Sequence, residues 1–130
     1  MDFKVFNDPL KIGPGLWFKI HIDALNAKDL ISKKNFINSM NILCDNFKCQ
    51  HCKEHFREEL NNTNFNNYNE EYGYFKWSWE FHNKVNLRLK KPQISYNDAY
   101  NYFKNDDNIC IDCGNKDKKI LKIISRKLEY

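Results

Sequence analysis

Glu71-Tyr72-Gly73-Tyr74-Phe75-Lys76-Trp77-Ser78-Trp79-Glu80-Phe81-His82-Asn83-Lys84-Val85-Asn86-Leu87-Arg88-Leu89 is the stretch that decides the fold. Trp77, Phe81, Val85 and Leu89 recur at every fourth position, so an α-helix gathers them into one apolar stripe. That spacing predicts a long helix beginning at about Glu70. His82 and Asn86 share an adjacent face, with Asn83 beside them. Histidine and asparagine are weak helix formers, and a cluster of them next to tryptophans points to side chains selected to hydrogen-bond something. Downstream, Lys91-Pro92 ends the helix, and Ser95 is placed to cap a short one through Asp98, Ala99, Tyr102 and Phe103.

Upstream the pattern stays helical. Phe47-Lys48-Cys49-Gln50-His51-Cys52-Lys53-Glu54-His55-Phe56-Arg57-Glu58-Glu59-Leu60 puts a Cys-x-x-Cys pair at the opening of a helix that carries Phe56 and Leu60 on one side. Two intervening residues let both sulfurs fall on one helical turn, close enough to form a disulfide or share a metal. The unpaired N–H groups of a helix start stabilise a thiolate, so the pair reads as redox or metal chemistry. Before it, a helix from about Ser32, its N-cap candidate, runs through Phe36, Ile37, Met40 and Leu43, with Cys44 continuing the buried face as an apolar thiol. Ile12-Gly13-Pro14-Gly15-Leu16-Trp17 predicts a turn leading into a helix over Phe18 to Leu25. Trp17 and His21 share one face of it, and taken alone they read as core and a satisfied buried histidine. The asparagine run from Asn61 to Asn69 reads as a loop that separates helices.

Composition bounds the answer. At 130 residues and 15.7 kDa the chain has room for one real core. A net charge of +4 with interleaved acidic residues is a weak footprint for a nucleic-acid binder, so nucleic acid is excluded as a partner. Aromatics reach 15%, which suits a core of large rings or a site that grips a planar ligand. There is no signal-peptide pattern at Met1-Asp2-Phe3-Lys4 and no membrane span, which leads us to expect a protein that is not secreted and makes no membrane contact. Five cysteines in such a chain point to catalysis or metal binding before a structural disulfide framework. After the polar hinge Asn105-Asp106-Asp107-Asn108 comes a second pair, Cys110-Ile111-Asp112-Cys113, and a basic, partly amphipathic segment from Lys116 to Tyr130. The expected organisation is a helical body over 1–104 and a tail over 105–130.

Taken together, Gly13-Pro14-x-x-Trp17-x-x-x-His21, Cys49-x-x-Cys52 and Trp77 followed by His82-Asn83-x-Val85-Asn86-x-x-Leu89-x-Lys91-Pro92 resemble the Erv/ALR family of FAD-dependent sulfhydryl oxidases, in order and spacing. The Gly-Pro form of the first motif and the short chain are most similar to members from large DNA viruses. The resemblance implies an all-α fold, a four-helix bundle plus a short fifth helix, usually as a homodimer. It implies FAD as cofactor, held by Gly13, Trp17, His21, Trp77, His82, Asn83, Val85 and Asn86, with Arg88, Lys90 and Lys91 as cations for the pyrophosphate. Cys52 would face the flavin and Cys49 the incoming dithiol, while Cys110 and Cys113 suit a shuttle disulfide. The implied reaction joins two thiols of a protein substrate or a thioredoxin-like carrier into a disulfide, with O2 as acceptor and H2O2 as product. The implied setting is the cytoplasm of an infected cell, or the virion. Three positions depart from the cellular pattern. Pro14 stands where an arginine is expected and Ala27 where a tyrosine is expected, so part of the flavin contact differs, and the cysteine of an extra structural disulfide is missing near Ser95 and Tyr96.

The rival reading is a structural zinc protein without oxidase activity, in which Cys49, Cys52, Cys110 and Cys113 supply four thiolates. The separation of the two pairs far exceeds that of a compact zinc ribbon, and zinc leaves the His82, Asn83 and Asn86 cluster unexplained. No metal is therefore assigned. A thioredoxin-like protein would need a βαβ pattern, which this helical sequence lacks.

Overall fold

Helical periodicity in the sequence is realised throughout the structure, a computed structural model that describes residues 9–104, with side chains from residue 15 onward. Among the described residues there are five α-helices, a short 3-10 helix and no strand. The helices are α1 (Pro9–Leu25), α2 (Leu30–Asp45), α3 (Gln50–Asn62), α4 (Gly73–Arg88) and α5 (Tyr96–Lys104). The all-α class expected from the sequence is what the chain adopts. The chain divides at the Trp77/Ser78 junction into two compact units. The tail from 105 onward lies outside the described residues, as do Cys110 and Cys113.

In the first unit, α1 begins on Pro9, where a missing N–H costs nothing. The turn expected over Ile12 to Trp17 is instead part of this helix. Local glycine and proline signals are weak priors, and here the helical course prevails even though Pro14 cannot donate to the carbonyl four residues back. Ile20 and Ala24 are buried one turn apart, as are His21 and Leu25, so one side of α1 faces the core.

Helix α2 is capped by Asp29, not by Ser32 as the sequence suggested. The Asp29 carboxylate accepts the Ser32 N–H at 2.7 Å, and the Ser32 hydroxyl accepts the Asp29 N–H at 3.1 Å. This is a reciprocal capping box with serine in the third helical position. The hydrogen bonds from Ser32 favour the anion and hold the Asp29 carboxyl below its ordinary range. Phe36, Met40 and Cys44 recur every fourth residue and are buried, as their spacing predicts.

Helix α3 packs along α2. The Arg57 guanidinium donates to the Asn41 side chain at 2.6 Å and to the Asp45 carboxylate at 2.7 Å. The buried Cys44 thiol donates to the Lys53 carbonyl at 3.6 Å. Burial raises the Cys44 thiol above its ordinary range, so it stays protonated and inert, in line with its reading as core.

The asparagine run does more than separate helices. The Asn64 side chain caps the 3-10 helix Phe65–Tyr68 by accepting the Asn66 N–H, and this places the Phe65 ring 5.1 Å from both Tyr74 and Trp77. Phe36 adds its edge to Trp77 at 5.8 Å. The fully buried Trp77 donates its indole N–H to the Thr63 hydroxyl at 3.1 Å, so its polar edge is satisfied inside an aromatic core.

Helix α4 starts at Gly73 and not near Glu70, because Tyr72 has a left-handed backbone (φ 62°) that a right-handed helix cannot include. The Tyr68 carbonyl lies where a Cβ on Gly73 would be.

In the second unit, α4 ends in a left-handed residue, Lys90 (φ 58°), with the Lys91 N–H donating back to the Asn86 carbonyl at 2.8 Å. This 6→1 bond satisfies a carbonyl that the helix end leaves open. Leu89 lies just past the helix end and is 54% exposed, so the apolar stripe leaves the core through the half-buried Val85. The Ser95 hydroxyl accepts the Asp98 N–H and caps α5 as expected, and Ala99 and Phe103 form its buried face.

Because the Gly73 site closes onto backbone, Gly73→Ala is expected to lower unfolding free energy by about 1–3 kcal/mol, the usual cost of overpacking. A urea unfolding curve with a lowered midpoint and unchanged slope would show it.

Candidate functional site

A Cys-x-x-Cys motif can use a helix start when its cysteines occupy the cap and the first turn, and that is what the first unit builds. Cys49 is the N-cap of α3, in extended conformation (φ −72°, ψ 104°), and Cys52 is the third helical residue. The Cys52 N–H donates to the Cys49 sulfur at 3.4 Å, and the Lys53 N–H donates to the Cys49 carbonyl at 2.8 Å. The Cys49 sulfur therefore accepts a bond that a serine or aspartate usually accepts. A thiolate accepts it better than a thiol, and the positive end of the helix dipole acts in the same direction. Both cysteines are half-buried, reachable without being fully in solvent.

Also in the first unit, Trp17 and His21 stack with ring centroids 5.8 Å apart and planes within 25°. The edge of Phe75 meets His21 at 5.9 Å. His21 is 0% exposed, and desolvation lowers its pKa to about 3, so the ring is neutral at working pH. Gly13 lies within α1. Trp77 belongs to the aromatic core described above.

In the second unit, His82 and Asn86 are 3% and 2% exposed, one turn apart on α4, and Val85 is half-buried. Asn83 is engaged in a two-bond clamp on the chain beyond the helix. It donates to the Ile94 carbonyl at 2.8 Å and accepts the Ile94 N–H at 3.1 Å. The Trp79 indole donates to the same carbonyl at 2.7 Å. Asn83 and Trp79 thus tie the segment between α4 and α5 back onto α4. The sequence offers no local sign of this contact, since Ile94 is eleven residues away. Arg88, Lys90 and Lys91 are all exposed at the C-terminal end of α4, where the helix dipole favours cations.

The chain matches the Erv1/Alr family over residues 14–106. It belongs to the Erv1/Alr family. The matched span contains Trp17, His21, Cys49, Cys52, Trp77 and the His82 to Lys91 run, and ends before Cys110 and Cys113. Among curated proteins, the Erv1/Alr chain is 31% identical over 81 residues to Sulfhydryl oxidase 1 of Oryza sativa subsp. japonica, covering 61% of this chain and 15% of that protein. It is 24% identical over 100 residues to the putative FAD-linked sulfhydryl oxidase 088R of Frog virus 3 (isolate Goorha), covering 70% of this chain and 65% of that protein. The chain therefore spans less than two thirds of the length of either relative. No solved structure is significantly similar to it.

Among the described residues no three His, Cys, Asp or Glu side chains converge. A four-cysteine zinc site would draw on Cys110 and Cys113, outside those residues. No helix among the described residues is long and apolar enough to cross a membrane.

Two outcomes follow from these contacts. Asn83→Ala removes both bonds to Ile94 and is expected to cost about 1–3 kcal/mol of stability, read by thermal unfolding. His21 gives a pH signature. Its ring titrates near 3 when folded and near 6.5 when unfolded. Between those values the unfolded chain binds a proton that the folded chain refuses. Stability is thus fully present above about pH 6.5 and is lost as pH falls toward 3, by about 1.4 kcal/mol per pH unit from this residue. Between pH 6.5 and 5, before carboxylates titrate, His21→Phe is expected to unfold with a visibly shallower pH dependence than wild type in parallel denaturant titrations.

Proposed function

We propose that this chain is a FAD-linked thiol oxidase that joins two thiols of a protein substrate into a disulfide, reducing O2 to H2O2. The observation that carries the reading is the Cys49 sulfur seated as the N-cap of α3 with Cys52 in the same turn, in a chain of the Erv1/Alr family. The names of the two relatives, sulfhydryl oxidases from rice and a frog virus, support it.

The residues proposed to hold the cofactor have the right chemistry for it. A large planar heteroaromatic ring needs flat neighbours and buried hydrogen-bonding edges. Trp17 and neutral His21 supply stacked rings, and His82 and Asn86 supply buried polar groups. A neutral imidazole holds such a ring without adding an uncompensated buried charge, which would be costly. The exposed Arg88, Lys90 and Lys91 suit a pyrophosphate. When bound, FAD would take up the electron pair of the Cys49/Cys52 dithiol and pass it to O2.

The protein's own steps are thiol–disulfide exchange. A substrate thiolate attacks the Cys49 sulfur of the Cys49–Cys52 disulfide; the S–S bond breaks and Cys52 leaves as a thiolate. The second substrate thiolate then attacks the substrate sulfur of that mixed disulfide, releasing the oxidised substrate and the Cys49 thiolate. The helix start stabilises each sulfur as it leaves, since both cysteines lie at N-terminal positions of α3. Cys110 and Cys113 act in this scheme as a shuttle that takes electrons from the protein substrate and delivers them to Cys49, within a homodimer in the cytoplasm of an infected cell.

Purified protein is expected to be yellow and to consume O2 with a reduced dithiol, and Cys49→Ser and Cys52→Ser are each expected to fall to the background rate. Colourless protein, or activity that persists in either variant, would refute the electron path. The double variant Cys110→Ser, Cys113→Ser separates the shuttle: it should oxidise a small dithiol at the wild-type rate and a protein substrate more slowly.

A further inference from the structure

His51 and His55 are one turn apart on α3, and the electron path has no use for either. Their rings meet at a centroid distance of 4.4 Å, nearly perpendicular at 87°, with Nε2 3.2 Å from Nε2. His51 is exposed and His55 half-buried, so solvent and ions reach the pair. We propose that His51 and His55 form a two-histidine chelate for a divalent late-transition-metal ion such as Ni2+, Cu2+ or Zn2+.

The argument is geometric. As a ring-to-ring hydrogen bond, the contact needs one Nε2 carrying hydrogen and the other offering its lone pair. If both rings carry hydrogen on Nδ1, each Nε2 offers a lone pair, and the two nitrogens stand 3.2 Å apart. Metal–imidazole bonds of about 2.0–2.1 Å span a 3.2 Å nitrogen separation at an angle of about 100°. That angle lies between square-planar and tetrahedral demands, so the nitrogen separation already suits a chelate. Imidazole is a preferred ligand of these ions, and two histidines at i and i+4 on a helix are already held in register by the backbone. Water would complete the shell.

The choice of ligands is forced by the sequence. The chain has four histidines, and His21 and His82 are buried at 0% and 3% exposure. Any imidazole that meets an ion from solvent is therefore His51 or His55. The spacing His51-x-x-x-His55 was legible in the sequence, but the flanking cysteines drew the chemical reading to themselves.

Calorimetric titration of the full-length protein with Ni2+ tests the site. One ion per chain is expected, with the affinity of His51→Gln and of His55→Gln each reduced by about tenfold or more, since one imidazole alone loses the chelate. A variant with Cys49, Cys52, Cys110 and Cys113 all changed to serine should retain binding. In the wild-type proton NMR spectrum, Ni2+ should broaden the ring signals of two histidines and leave the other two sharp. Absence of binding, binding that survives both histidine substitutions, or binding that disappears with the cysteines would each overturn the proposal.

Discussion

The first turn of α3 presents backbone N–H groups that must find an acceptor, and the acceptor on the Cys52 N–H is the sulfur of Cys49. Most helices give this task to a hydroxyl or carboxylate, which holds its strength across working pH. Sulfur is a weak acceptor as a thiol and a strong one as a thiolate, so this cap bond favours the anionic form of Cys49. The rest of the first unit holds that turn in place. Arg57 bridges α3 to Asn41 and Asp45 of α2, and the Cys44 thiol bonds the carbonyl of Lys53, directly after Cys52. The partly exposed ion pair of Arg57 with Asp45 contributes at most about 1 kcal/mol. The apolar face of Phe36, Met40, Phe56 and Leu60 contributes more, at about 1.5–3 kcal/mol for each large side chain removed from water.

A second constraint is the presence of buried polar groups among the apolar ones. His21, Ser78, His82, Asn83 and Asn86 are all withdrawn from water. Each carries a desolvation cost that only hydrogen bonding offsets. For Asn83 the offset is visible: both ends of its amide are engaged by the backbone of Ile94. For His21 the protein avoids the larger cost by keeping the ring neutral, since a charged imidazole between Trp17 and Phe75 would lack solvation.

Much of this was legible from residue spacing. The stripe of Trp77, Phe81 and Val85 predicted α4, Ser95 predicted the cap of α5, and the Cys49/Cys52 pair was correctly placed at a helix start. What failed did so for identifiable reasons. Gly13-Pro14-Gly15 carries turn signals that the helical course of α1 overrides. Ser32 and Asp29 are both members of one capping box, and reading serine alone as the cap displaced the helix start by three residues. The start of α4 depends on a left-handed Tyr72, a conformation that tyrosine seldom adopts and that no local pattern announces. The Asn83 clamp depends on a partner in another segment, so the tendency of asparagine to bond was readable while its target was not.

Lys90 joins the fold to the proposed chemistry. It occupies the left-handed position that closes α4, where glycine would be unstrained and a side chain costs about 1–2 kcal/mol. Turn formation alone would favour glycine there. The helix dipole does not account for the lysine either, because Arg88 already places a cation in the last turn. A third cation, Lys91, follows at once, its N–H fixed by the Asn86 carbonyl. Three exposed cations within four residues repel one another, and they tolerate this best when an anion lies among them. On the proposed function, a pyrophosphate at the end of α4 would offset this charge density, one turn beyond the buried amide of Asn86 and two turns beyond the buried imidazole of His82.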